Sequence, residues 1–223
     1  CAPVLDIPVE GADPIISDRA YGKNPSQVID IANAVMSGLM SGGVVPVIKH
    51  IPGHGRARVD SHKELPIIPT NLQTLRNSDF IPFQALKDAP MAMTAHAVYE
   101  CSSKSPLTIS RKSFDTLIRK EIGYTGLVMS DDLDMKALSG DLIDRTRASL
   151  NAGCDIALQC SGNLDSMNNV AKGAKTLDGI SLNRATIAEY CSDIFDCIDR
   201  EGFKNELNSL TAFHHKYFEM NRD

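Results

Sequence analysis

The chain has 223 residues, 43% of them apolar, 23% charged and 5% aromatic, with a formal net charge of −5. That composition excludes disorder, collagen and coiled coil, and the acidic balance without any run of Lys or Arg excludes a nucleic-acid-binding surface. The longest apolar stretches, such as Val44 to Ile48, are strand-sized and far short of the roughly 20 residues that a bilayer span needs, so we expect neither nucleic acid nor membrane as a partner.

The chain opens on Cys1 and runs directly into Ala2-Pro3-Val4-Leu5, which suggests a cut. A terminal cysteine carrying lipid is the alternative. The six cysteines, Cys1, Cys101, Cys154, Cys160, Cys191 and Cys197, are scattered and form no Cys-x-x-Cys pair, which points to buried thiols in a reducing, cytoplasmic compartment.

Short apolar runs alternate with helical patterns, the rhythm of βα units and a parallel sheet. The predicted strands are 2–6, 44–49, 91–95, 127–130 and 155–159, each nearly all apolar, as strands covered on both faces are. After the first strand, Asn24 is a predicted N-cap with Pro25 at the first helical position, and Val28, Ile31, Ala32, Val35 and Leu39 share one face up to Gly42-Gly43. A second helical pattern runs from Thr70, bends at Pro82 and stops by Pro90. A third starts at Ser110 and stops at Gly123, and a fourth spans Asp141 to Ala152. Beyond the last strand Ser181 reads as the cap of a helix carrying Ile187, Tyr190, Cys191, Ile194 and Ile198, and another helical pattern runs from Asn205 to Met220. Residues 1–178 therefore read as βα units and 179–223 as C-terminal helices.

In parallel α/β folds chemistry collects just after the strands. Here those places hold Asp6 and Ser17-Asp18-Arg19, then Lys49-His50, then His96, then Ser130-Asp131-Asp132. Four of the six histidines, His50, His54, His62 and His96, lie in these segments. His214 and His215 read as a solvated helix face. The connection from Ile51 to Pro69 is longer than most βα loops and reads as a lid or binding loop, with Gly53 and Gly55 as hinges. Within it Asp60 and His62 are two apart, on one face of an extended segment, where a carboxylate stabilises an imidazolium as a proton donor. A solvated ion pair of little consequence is the plain alternative. Asp131 and Asp132 point to opposite sides of their strand; the plain reading of Asp132 is an N-cap ahead of Met135-Lys136-Ala137-Leu138.

Spacing leaves two enzyme chemistries open. One pairs a proton-donating His62 with a carboxylate nucleophile, Asp131. The other gathers His50, His54, His62, His96 and Asp131 around a catalytic zinc.

Lys49 to Gly55 as K-H-I-P-G-H-G, then Asp60-Ser61-His62, then Ser130-Asp131-Asp132-Leu133 resemble glycoside hydrolase family 3, and within it the bacterial β-N-acetylglucosaminidases of peptidoglycan recycling. Ala2 to Asp6, Asp18 to Tyr21 and Ala152 to Asp155 match the same family in the same order. The resemblance implies a (β/α)8 TIM barrel of which this chain supplies strands four to eight plus C-terminal helices, the first three βα units being absent. It implies a retaining exo-acting glycosidase without metal or other cofactor. Asp131 would be the nucleophile, His62 oriented by Asp60 the acid/base, and Arg19, Lys49 and His50 the sugar-binding residues. The substrate would be a terminal GlcNAc on an anhydromuropeptide, whose carboxylates Arg19, Lys49, Arg56, Arg58 and Lys63 would face. Three alternatives stand beside it: an inactive or binding-only truncated relative, a phosphate-using β-N-acetylglucosaminide phosphorylase, and the zinc-dependent barrel hydrolase. Exposed barrel edges would also favour self-association.

Overall fold

A computed structural model describes residues 1–193, 201–202 and 204–211 of the chain. Its centre is a parallel sheet in the order β1 (Val47–Ile51), β3 (Met91–Thr94), β5 (Leu127–Asp132) and β6 (Ile156–Leu158). Strand β1 pairs Val47 with Met91, β3 pairs Met91 with Leu127, and β5 pairs Met129 with Ile156. The predicted first strand lies beside β1 without a ladder of its own. Val4 bridges Lys49 in parallel, Leu5 N–H donates to the Lys49 carbonyl at 2.7 Å, and Val47 N–H donates to the Ala2 carbonyl at 2.7 Å. Pro3 and Pro8 bring no N–H to a longer ladder. Five parallel strand positions in chain order, with helices packed on the sheet, form part of a TIM-barrel-like α/β fold.

One face of the sheet is buried against the helices, whereas Lys49 and Met129 on the other are half-buried. Leu5, Ile48, Ile51, Ala92 and Val128 enter one core with Val28 and Ala32 of α2 (Pro25–Ser41), Phe80 and Phe83 of α4 (Phe80–Ala85), and Phe114, Leu117 and Ile118 of the next helix. The expected Asn24 cap is in place, its Oδ1 accepting from Gln27 N–H, and Asp141, read as the first residue of the fourth helix, is the cap of α6 (Leu142–Ala152), its Oδ1 accepting from Asp144 N–H. Of the predicted α2 face, Val28 and Ala32 are buried, whereas Ile31 is exposed.

Several elements differ from the sequence reading. A one-turn helix α1 (Pro14–Ser17) precedes α2. The pattern from Thr70 breaks at Asn77 to Asp79 into α3 (Leu72–Arg76) and α4, so Pro82 lies inside the second helix's first turn, where its missing N–H costs nothing. The short α5 (Arg111–Ser113), capped by Ser110, continues as a π-helical stretch, Phe114–Ile122, closed by Gly123 at φ 76°. Gly123 is the left-handed terminator that such an end requires.

The long loop contains β2 (Ile67–Ile68), paired in parallel with β4 (Val98–Tyr99). An unpredicted α7 (Leu164–Gly173) follows β6, capped by Asn163. Ser181 is the third residue of α8 (Gly179–Asp193) and caps nothing; its hydroxyl instead donates to Asp155 at 2.6 Å. Residues 204–211 are helical, within the predicted last helix. Ile194, Ile198, Cys197, His214 and His215 lie outside the described residues, and among those no helix is long and apolar enough to cross a membrane.

Candidate active site

The strand ends and the loop after β1 converge on one hollow of about 270 Å³. Arg19, Lys49, His50, His54, His62 and Asp131 all line it. The sequence-predicted site residues therefore meet, with Asp60 reaching the site through His62.

Asp131 sits near the end of β5. Its Oδ1 accepts from the Asp132 N–H at 2.8 Å, and its Oδ2 is 3.9 Å from Nε2 of His50. Burial pushes this carboxyl up, but His50, His96, the Asp132 N–H and His54 together outweigh it and hold it below the usual carboxylate range. At neutral pH it is an anion at the wall of the hollow. Asp132 also lines the hollow and caps no helix, because Met135 to Leu138 form turns and bends. Its Oδ1 instead accepts from the N–H groups of Asp134 and Cys160, each at 3.1 Å, tying β5 to the chain after β6.

His50 ends β1 and is buried. Its Nδ1 lies 2.6 Å from Asp6 Oδ2, and its own N–H reaches Asp6 Oδ1 at 3.2 Å. The N–H of His54 donates to the same Oδ1 at 2.6 Å. Burial raises the Asp6 carboxyl, and the two histidines bring it below its ordinary value. The ring of His54 is 5.7 Å from that of His50; burial without a partner at Nδ1 pushes its pKa down to about 4.

His96 is buried behind Asp131, and its tautomer follows from its neighbours. The backbone carbonyl of Asp132, 3.1 Å from Nε2, only accepts, so Nε2 carries the proton. Nδ1 lies 2.8 Å from the Thr108 hydroxyl, and burial lowers the pKa of His96.

Lys49 is half-buried on β1, and desolvation, aided by the nearby Arg19 charge, lowers its pKa. Arg19 is exposed at the rim, with its Nε donating to the Ile15 carbonyl at 2.8 Å.

On the loop, Asp60 Oδ1 takes both the N–H of His62 at 2.9 Å and its Nδ1 at 2.8 Å, while Lys63 Nζ lies 3.5 Å from Oδ2. Slight desolvation raises the Asp60 carboxyl, and the bonds and charges of His62 and Lys63 carry it below its ordinary value. His62 lines the hollow with its side chain 55% exposed.

The loop is fastened at three places. Gly55 and Ala57 carbonyls accept from Val9 and Asp13, Ser61 and His62 carbonyls accept from Ala137 at 3.2 Å and Lys136 at 3.4 Å, and β2 joins β4. Gly55 is no hinge: a Cβ there would run into the Ile7 carbonyl, so the residue is small because two backbones touch. Gly53, at φ 128°, has Asp79 against it. Arg56, expected toward substrate, is turned away; its Nε is 2.8 Å from the buried Asp79, and it also bonds Ser78. Asp6 is the organising residue that the sequence placed after its strand without assigning a role.

The zinc donor set is not assembled. Both ring nitrogens of His96 and Nδ1 of His50 are engaged, and among the described residues no three His, Cys, Asp or Glu side chains converge as a metal would require.

Residues 1–194 match the glycosyl hydrolase family 3 N terminal domain. A beta-hexosaminidase of Alkalilimnicola ehrlichii is 40% identical over 164 residues, covering 72% of this chain and 47% of its own length. A beta-hexosaminidase of Tolumonas auensis is 36% identical over 193 residues, covering 84% and 55%. Native NagZ from Neisseria gonorrhoeae superposes with a TM-score of 0.74 at 32% identity, over 92% of this chain and 58% of that one. The chain thus spans about half the length of the curated relatives it matches. On the match over residues 1–194 and these relatives, the chain belongs to glycosyl hydrolase family 3.

Proposed function

We propose that the protein is a retaining exo-β-N-acetylglucosaminidase that removes terminal GlcNAc from peptidoglycan fragments in the cytoplasm. One observation carries this reading: an ionised carboxylate on a strand end and a loop histidine bonded to Asp60 line the same hollow. Asp131 attacks the anomeric carbon as the glycosidic bond breaks, and Nε2–H of the His62 imidazolium protonates the departing oxygen. Asp60, bonded to Nδ1, leaves Nε2 as the working nitrogen. Neutral His62 then takes a proton from water as that water releases the sugar from Asp131, which restores the imidazolium. Arg19, Lys49 and His50 hold the sugar hydroxyls. The hexosaminidase names of the relatives support the GlcNAc specificity, and the scattered thiols support the compartment.

The test is turnover of an aryl β-GlcNAc and of GlcNAc-anhydromuropeptide by the purified protein. Asp131→Ala is expected to lose on the order of 10³-fold or more in kcat, and His62→Ala about 10²- to 10⁴-fold, least with the best leaving groups. The released sugar should be the β-anomer. No turnover above the Asp131→Ala background would make the chain a binding-only relative. Sugar 1-phosphate formed in phosphate buffer would make it a phosphorylase.

A further inference from the structure

Asp6 is 1% exposed, and an isolated carboxylate so deeply buried would be strongly disfavoured. It is tolerated because three donors surround it: the N–H groups of His50 and His54 on Oδ1, and the ring of His50 on Oδ2. An ionised carboxylate only accepts, so the 2.6 Å contact at Oδ2 requires a proton on Nδ1 of His50. Nε2 is then the one nitrogen that His50 presents to the hollow, 3.9 Å from Asp131 Oδ2. That gap is too long for a direct hydrogen bond and short enough for one polar atom to bond both. Residue 6, remote in sequence and outside the hollow, thereby fixes the hydrogen-bonding sense beside the nucleophile.

We propose that Asp6 is a positioning residue for the reaction, acting through His50: by holding the proton on Nδ1 it keeps Nε2 aligned beside Asp131. The proposal rests on the glycosidase reading for its kinetic consequence but not for the tautomer. Asp6→Asn separates the two. The amide oxygen can keep the two backbone N–H bonds, while its NH2 faces Nδ1 and forces that nitrogen to accept, which moves the ring proton to Nε2.

The experiment combines kinetics on the aryl substrate with nitrogen-15 NMR of the histidine rings, which reads tautomers whether or not the protein turns over. In the wild type, His50 should carry a proton on Nδ1; in Asp6→Asn at neutral pH, on Nε2 alone. kcat should fall on the order of 10²-fold, with KM changing less than about threefold, because a misoriented group beside the reacting atoms costs about that much. In a His50→Gln background Asp6→Asn should add less than about threefold, whereas a general packing defect would cost the same in both backgrounds.

The proposal is overturned if Nδ1 of wild-type His50 carries no proton, if the ring in Asp6→Asn keeps the wild-type pattern, or if the tautomer changes and kcat stays within threefold. If the wild type has no turnover, the glycosidase reading fails, and the two spectra alone decide the positioning. Should Asp6→Asn fail to fold, the wild-type spectrum decides it.

Discussion

At the scale of single residues, three histidines in or behind the hollow stand in different electrical situations. His62 is wet and paired, His96 is dry with both nitrogens matched, and His54 is dry with Nδ1 unmatched. Burial lowers the pKa of both His96 and His54, and that of His54 falls to about 4. Its folded pKa of about 4 lies below the ordinary 6.5, so between those values the unfolded chain binds a proton that the native chain refuses. Stability therefore rises with pH across that window and is lost as pH falls through it, by up to about 3 kcal/mol at the acid end. Denaturant unfolding at pH 4.5 and 7 checks this. His54→Gln should flatten the pH slope, and an unchanged slope would show that His54 is not its source. The sequence displayed every one of these histidines, but their different states come from burial and partners that spacing does not encode.

At the scale of elements, the loop between β1 and β2 is a fastened structure, although its length and glycines suggested a free lid. Gly55→Ala is expected to force the Ile7 segment away, costing about 1–3 kcal/mol and lowering Tm by roughly 2–12 °C in a chain of this size. A melting temperature within a degree of the wild type would show that the contact yields easily. The reason for this glycine was illegible because Ile7 lies 48 residues upstream, whereas Asn24-Pro25, Ser110 and Asp141 act on neighbours three or four residues away and marked the helix starts. The strands β2 and β4, two residues each, are too short to show a period. Helix α7 was legible in principle, since Asn163 precedes Leu164, Met167 and Val170, but its many polar residues masked the pattern.

At the scale of the whole molecule, the parallel sheet ends at the first strand segment on one side and at β6 on the other. All three residues of β6 are half-exposed, and Leu164, Met167, Ile180, Ile187 and Tyr190 are open on the helices that follow. Apolar surface and free strand edges on this scale favour association. The 223-residue chain by itself should sediment as oligomers that shift with concentration in the micromolar range; a single monomeric species across that range would contradict this. The parallel α/β class was legible because five apolar runs alternate with helical patterns, whereas the barrel was implied by the family resemblance; that Lys49, His50 and Asp131 would gather was legible because they follow those runs.

The backbone bonds from Ala137 and Lys136 to the carbonyls of Ser61 and His62 join the loop to chain that begins only a few residues after Asp131. The reach between the carboxylate and the imidazole is spanned by one short piece of polypeptide. The carbonyls of the acid/base loop are thus tied directly to the chain that carries Asp131 as well as to the strands on either side of the loop.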